Sequence, residues 1–142
     1  MKTFSEYTGV IEKSLRELKL PGGELASLYE PIAYALAAGG KRLRPALLLM
    51  AADAFGCKAE EAFRPAVGIE MFHNFTLLHD DVMDNSDTRR GRPSVHAKWD
   101  VNTAILSGDT MLTLATQLIS EVDDLLLREV LDTFNSMAIR IY

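Results

Sequence analysis

Apolar residues recur every three or four positions along almost the whole chain, and this spacing places them on one face of an α-helix. Turns rich in glycine and proline separate these stretches, and few short runs alternate as a β-strand requires. The spacing predicts helices over six ranges: 3–19, 25–38, 45–55, 60–84, 101–119 and 123–140. We therefore predict an all-α bundle, with residues 1–142 forming a single helical domain. A polar loop is predicted at 85–95, and Asn102 is predicted to cap the helix that runs to about residue 119.

Three aspartates, Asp80, Asp81 and Asp84, stand at the end of the helix predicted over 60–84. One helical turn separates Asp80 from Asp84, so these two share a face, with Asp81 beside them. Mutual repulsion and the macrodipole at a helix C-terminus both disfavour carboxylates at this place. A cation such as Mg²⁺, which prefers oxygen ligands, would offset both effects. The alternative is a solvated acidic helix end with no ligand.

An arginine pair, Arg89 and Arg90, follows the aspartates. A guanidinium group grips phosphate through two parallel hydrogen bonds, so carboxylates and arginines within a dozen residues predict a metal-bridged diphosphate. The ligand spacing of a calcium loop or a zinc site is not present. Asp87 either supports the carboxylate cluster or simply opens the loop.

A second charged segment, residues 39–45, joins two predicted helices and contains the cations Lys41, Arg42 and Arg44. Two glycines end the first helix and a proline can occupy the first turn of the next, so the cations lie at a helix N-terminus, which favours anions. The segment is not a Walker A loop, because arginine follows the lysine where serine or threonine is required. A solvated basic turn is the alternative.

His73 lies two helical turns before Asp80 on the same stripe. Taken alone, a histidine in an apolar stretch is usually a core residue. Together with the basic segment 40–45 and the run 80–91, however, it resembles the motifs of the trans-isoprenyl (polyprenyl) diphosphate synthases, in the same order. The resemblance covers residues 30–110. It implies an isoprenoid-synthase helical bundle and a prenyltransferase that condenses isopentenyl diphosphate with an allylic diphosphate through Mg²⁺-assisted ionisation.

The resemblance implies a role for each matched residue. Four are implied to be catalytic, with the aspartates as metal ligands and the arginine holding the allylic diphosphate: Asp80, Asp81, Asp84 and Arg89. Four are implied to hold the diphosphate of isopentenyl diphosphate: Lys41, Arg44, His73 and Arg90. Phe75 resembles the residue that closes the hydrocarbon pocket in synthases of short products, C15 to C20, although an ordinary core position is the alternative.

The resembled synthases carry a second aspartate-rich motif, which these 142 residues lack. Glu121, Asp123 and Asp124 do not replace it, because Leu127 and Arg128 stand where another carboxylate is required. Two hypotheses stay open. The chain is either the N-terminal portion of a prenyltransferase, acting alone or with a complementary chain, or a non-catalytic subunit that binds Mg²⁺-diphosphate or pairs with a synthase. A terpene cyclase also uses such aspartates but does not explain the basic segment.

Composition limits the partners and the cellular location that we expect for the chain. A formal net charge of −5 argues against nucleic-acid binding. Cys57 is the single cysteine, which excludes a disulfide framework and favours a reducing, cytoplasmic compartment. No secretory signal pattern and no unbroken apolar run of about 18 residues occurs, so we expect no stable membrane anchor. The family resemblance also implies a homodimer.

Overall fold

The computed structural model describes residues 2–142, which form seven helices and one small hairpin. The helices are α1 (Phe4–Arg16), α2 (Ala26–Ala37), α3 (Leu43–Ala54), α4 (Ala59–Met83), α5 (Val95–Lys98), α6 (Val101–Ile119) and α7 (Asp124–Ile141). The strands are β1 (Thr88–Arg89) and β2 (Arg92–Pro93), and a 3₁₀ turn covers Gly23–Leu25. The predicted all-α fold is confirmed.

The structure differs from the prediction in the loop after α4 and in the residue that caps α6. The loop expected at 85–95 contains the antiparallel pair β1 and β2, and α5 begins within it. Asp100, and not Asn102, caps α6, because its carboxylate accepts a hydrogen bond of 2.8 Å from the backbone N–H of Thr103. Both residue types cap helices well, so residue type alone does not decide between two candidates two positions apart.

Helices α4 and α6 form the centre of the core and run antiparallel in close contact. A Cβ built on Gly68 of α4 would lie 2.9 Å from the carbonyl oxygen of Ala115 and 2.7 Å from Cγ1 of Ile119. At the other end of the contact, a Cβ on Gly108 of α6 would overlap the His79 imidazole. One glycine on each helix therefore allows the two helices to approach closely.

We expect Gly68→Ala to lower the free energy of unfolding by about 1–3 kcal/mol, because the backbone of α6 must move to admit the methyl group. Gly9 in α1 provides the matched control, since a Cβ there would meet nothing within 4 Å. Gly9→Ala should raise stability by about 0.5–1 kcal/mol through its helix propensity. Urea unfolding measures both changes, and a stabilised Gly68 variant would contradict the close approach.

Helix α7 is attached to the core by only part of its surface. Its buried residues are Phe134 and Ala138, both of which belong to the apolar core. Several of its large apolar side chains and the residue after it are exposed: Leu125, Leu126, Ile139, Ile141 and Tyr142. Among residues 2–142, no helix is long and apolar enough to cross a membrane.

Candidate active site

The predicted site residues lie along α4 and on the two loops beside it. His73 is in the middle of α4, and Asp80 lies seven residues further on, or about 10 Å along the axis at roughly 1.5 Å per residue. The basic loop between α2 and α3 lies beside His73, and the hairpin lies beside the C-terminal end of α4. One rigid helix therefore connects the basic and acidic parts of the site.

A pocket of about 350 Å³ brings together four of the predicted residues: Lys41, Arg44, His73 and Arg90. The rest of its lining is Gly40, Arg42, Leu43 and Glu70. Nη1 of Arg44 lies 3.3 Å from Nε2 of His73. The Arg90 guanidinium lies against Gly40, where a Cβ would be 3.0 Å from both of its terminal nitrogens. Gly40 has a φ of 151°, which a residue with a side chain rarely adopts. We call this the basic pocket.

The basic pocket has an excess of positive charge. Within residues 2–142, the cations Lys41, Arg44 and Arg90 form no salt bridge. Burial lowers the pKa of Arg90, and the neighbouring Arg42 lowers it further. Burial likewise lowers the pKa of His73 below its usual 6.5, with Arg44 adding to the effect, so the neutral imidazole can accept a hydrogen bond from Arg44. Such a pocket suits an anion.

Arg42 has a different environment from the other cations of its segment. It is buried and donates three hydrogen bonds: from Nε to Glu12 (2.8 Å), from Nη1 to Glu70 (2.7 Å) and from Nη2 to the carbonyl of Leu36 (2.9 Å). Burial acts to lower its pKa, but the two carboxylates outweigh burial and raise it. Sequence reasoning did not find this role, because the acceptors come from distant segments.

The three aspartates separate into two kinds. Asp80 and Asp84 are exposed and, among residues 2–142, form no salt bridge. Asp81 is buried and accepts two hydrogen bonds of 2.8 Å from Nε and Nη2 of Arg89. Asp87 closes the loop through its carbonyl, which accepts a hydrogen bond from the backbone of Ser94.

The structure brings no three His, Cys, Asp or Glu side chains of residues 2–142 close enough together to hold a metal ion. It does place two free carboxylates, Asp80 and Asp84, one turn apart at the end of α4. Exposed carboxylate oxygens suit Mg²⁺, which binds through one or two of them and keeps several waters. The residues present therefore fit a partly hydrated Mg²⁺ ion, and Asp81 also accepts hydrogen bonds from Arg89.

An apolar cleft of about 820 Å³ lies between α3, α4 and α7 and opens beside Arg44 and His73. Phe72 and Thr76 border it, whereas Phe75 does not. Phe75 is buried in an aromatic cluster, with its ring centroid 5.7 Å from that of Phe72 and 4.7 Å from that of His79. The cleft and the basic pocket together suit a ligand with an anionic head and a hydrocarbon body.

Known proteins share both the sequence and the fold. A sequence profile of the family described as polyprenyl synthetase matches residues 25–142. The geranylgeranyl diphosphate synthase of Methanosarcina mazei is 46% identical over 114 residues, which is 80% of this chain and 35% of that protein. The farnesyl diphosphate synthase of Geobacillus stearothermophilus is 48% identical over 101 residues, which is 70% of this chain and 34% of that protein.

The likeness extends to solved structures. A crystal structure of a geranylgeranyl pyrophosphate synthase matches with a TM-score of 0.91 and 45% identity, covering 98% of this chain and 42% of that one. The chain spans about a third of the length of the curated relatives that it matches. The profile match covers most of the chain and includes both the basic segment and the aspartates. The chain therefore belongs to the polyprenyl synthetase family.

Proposed function

We propose that this chain carries the two diphosphate sites of a Mg²⁺-dependent prenyltransferase that joins isopentenyl diphosphate to an allylic diphosphate. The observation that supports it most is the convergence of Lys41, Arg44, His73 and Arg90 in one pocket beside an apolar cleft. The relatives' names, geranylgeranyl and farnesyl diphosphate synthase, support a short product of C15 to C20. The substrates, the metal and the oligomeric state, taken as a homodimer, are parts of the proposal.

The acidic end of α4 would bind the allylic diphosphate. Asp80 and Asp84 would hold Mg²⁺, which supplies positive charge to the departing diphosphate. Arg89 is held through Nε and Nη2 by Asp81, and this leaves its Nη1 for a diphosphate oxygen. The hydrogen bonds to Asp81 raise the pKa of Arg89, so the guanidinium stays charged while the allylic C–O bond breaks and its electron pair leaves with oxygen.

The basic pocket would bind isopentenyl diphosphate. Its cations would fix the head group, so that the double bond lies next to the allylic carbon and forms the new C–C bond. A proton then leaves the isopentenyl unit and passes to the released diphosphate. The apolar cleft beside His73 would hold the hydrocarbon and exclude water that would otherwise quench the cation.

A Mg²⁺-dependent assay of the 142-residue chain tests the proposal. The chain receives labelled isopentenyl diphosphate with dimethylallyl, geranyl or farnesyl diphosphate, and the products are sized by chromatography. A chimera in which residues 25–142 replace the matching part of the Methanosarcina mazei relative provides a full-length context. Product from either protein supports the prenyltransferase. An inactive chimera whose parent enzyme is active would contradict it.

A second candidate is a non-catalytic subunit that binds Mg²⁺-diphosphate or pairs with a synthase. The exposed apolar side chains of α7, including Leu125 at 92% and Ile139 at 74%, favour a helical partner. Diphosphate binding by the chain without turnover, together with an inactive chimera, would favour this candidate over the enzyme.

Phe75→Ala is expected to shift the products toward longer chains. The ring packs against Phe72, which borders the cleft, so its removal lets Phe72 retreat and deepens the cleft. Thr76→Ala is the matched comparison, because Thr76 borders the cleft directly. Chromatographic sizing of products in the chimera measures both variants. An unchanged product distribution in the Phe75 variant would contradict its role, and lengthening in the Thr76 variant alone would move that role to Thr76.

Binding of isopentenyl diphosphate is expected to take up a proton at His73. The pKa of the free imidazole lies below 6.5, chiefly through burial, and a bound diphosphate raises it because an anion favours the charged form. Affinity should therefore increase as pH falls from 8 to about 6. Calorimetric titration in two buffers of different ionisation enthalpy measures the uptake. His73→Gln controls for the ligand's own phosphate protons, and equal uptake in both proteins would contradict the prediction.

A further inference from the structure

Arg42 is the one cation of the basic segment that the proposed mechanism does not use. The residue is 3% exposed, and its side chain is held by groups from three separate helices: Glu12 on α1, the carbonyl of Leu36 on α2 and Glu70 on α4. Two carboxylates surround one guanidinium, so the cluster carries no surplus positive charge. Arg42 lines the basic pocket, but its guanidinium is already bonded to two carboxylates, so it is not suited to bind an anion itself.

The backbone at Arg42 is also unusual. Its φ of 48° and ψ of 35° lie in the left-handed region, which is disfavoured for a residue with a side chain. Gly39 and Gly40 before it have positive φ and no side chain that could anchor the loop. Lys41 forms no side-chain hydrogen bond or salt bridge among residues 2–142. The hydrogen bonds of Arg42 thus hold the loop in a shape that it would not otherwise favour.

This anchoring bears directly on the basic pocket. Lys41 precedes Arg42 and Arg44 follows two residues later, and both line the pocket. Glu70 lies one turn before His73 on α4 and is itself fixed by Asn74, whose Nδ2 is 3.2 Å from its carboxylate. The bond from Arg42 to Glu70 therefore ties two cation-bearing segments to the helix that carries His73: the loop with Lys41 and the first turn of α3 with Arg44.

We propose that Arg42 is a positioning residue for the isopentenyl diphosphate site: its triple anchorage fixes Lys41 and Arg44 relative to His73. The inference rests on the proposed function, because it assigns the basic pocket to that substrate. The acidic end of α4 and the hairpin have their own link, from Arg89 to Asp81, and do not depend on Arg42. Loss of Arg42 should therefore weaken one diphosphate site selectively.

The test is calorimetric titration of the 142-residue chain with isopentenyl diphosphate, using Arg42→Gln and Arg42→Lys. We expect affinity about 10- to 100-fold weaker for both variants, because neither side chain can reach three acceptors and the cations are displaced. Affinity for geranyl diphosphate with Mg²⁺ should change less than about threefold, since a merely structural defect would weaken both sites. Arg16→Gln is the matched control: Arg16 is an exposed partner of the same Glu12, at 3.3 Å, and its loss should leave both affinities unchanged.

A variant with one acceptor removed covers the case in which Arg42→Gln does not fold. Glu12→Gln leaves the bond to Glu70 in place and should weaken isopentenyl diphosphate binding about three- to tenfold. Wild-type affinity in folded Arg42 or Glu12 variants, or equal losses at both sites, overturns the inference.

Inorganic pyrophosphate as a second probe separates this inference from the proposed function. Suppose that the wild-type chain binds pyrophosphate, that the Arg42→Gln variant does not, and that the chimera forms no prenyl product. The prenyltransferase proposal then fails, while the positioning role of Arg42 stands. If the wild-type chain binds neither pyrophosphate nor isopentenyl diphosphate, the pocket is not a diphosphate site and the inference is overturned.

Discussion

Replacement of Asp80 by alanine is expected to lower turnover by about 1,000-fold or more, since it removes a proposed ligand of the Mg²⁺ that would neutralise the departing diphosphate. The same change should leave the melting temperature almost unaltered. The Asp80 carboxylate is exposed at the C-terminal end of α4, where the helix dipole opposes it, and within residues 2–142 it forms no salt bridge. The effect is thus kinetic and not structural.

The chimera with the Methanosarcina mazei relative is the suitable protein for this measurement, with Mg²⁺ varied over a wide range. Asp84→Ala should behave in the same way, because Asp84 lies one turn further on. Glu60→Ala, an exposed acidic residue in the first turn of the same helix, serves as the control and should keep normal kinetics. Unchanged turnover in the Asp80 variant would refute the metal assignment.

Replacement of Asp81 by alanine should, unlike that of Asp80, destabilise the fold. We expect a loss of about 2–4 kcal/mol in the free energy of unfolding, because the change leaves a partly buried guanidinium without its partner. Asp81 is 3% exposed and accepts both hydrogen bonds of the Arg89 fork. For a chain of this size the melting temperature should fall by roughly 10 °C. Turnover also falls, since Arg89 is no longer held in place.

An exposed ion pair of the same chemistry provides the comparison. Arg128 and Asp132 on α7 form a bond of 2.9 Å between side chains that are 90% and 63% exposed. Asp132→Ala should cost no more than about 0.5 kcal/mol, as is usual for surface pairs. Thermal and urea unfolding of both variants measures the difference. If the Asp81→Ala and Asp132→Ala variants lose the same amount of melting temperature, the buried pair does not stabilise the fold more than the exposed one.

The different expectations for Asp80 and Asp81 depend on their burial, which the sequence did not predict. Helical spacing predicted correctly that the aspartates end a helix, because that pattern is local. Which carboxylate faces solvent depends on the hairpin that carries Arg89 eight residues later. A pattern of neighbouring residues does not show which distant segment packs against each aspartate. The resemblance implied a metal role for all three, and that role stays a prediction for Asp81.

The same limit applies to the basic segment. The resemblance to known synthases grouped Lys41, Arg44, His73 and Arg90, and the structure places these four in one pocket. Arg42 has the same residue type and the same neighbours in sequence, yet its burial depends on Glu12 and Glu70, which are 30 and 28 residues away. Long-range partners of this kind are visible only once the helices are packed.

The hydrocarbon pocket is a third case. The family resemblance favoured Phe75 as the residue that closes it, whereas helical spacing places Thr76, and not Phe75, almost directly below Asp80. In the structure Thr76 borders the cleft, while Phe75 belongs to the aromatic cluster around Phe72. Which of the two controls product length stays a prediction, and the two alanine variants separate them.

The placement of His73 and Asp80 on one uninterrupted helix has a consequence for how this family can vary. A single inserted or deleted residue between them would rotate one site by about 100° relative to the other and shift it by about 1.5 Å. Insertions should therefore be absent from residues 73–80 in active relatives. Helix α4 therefore fixes both the distance and the angle between the two sites, and a change of one residue would alter both at once.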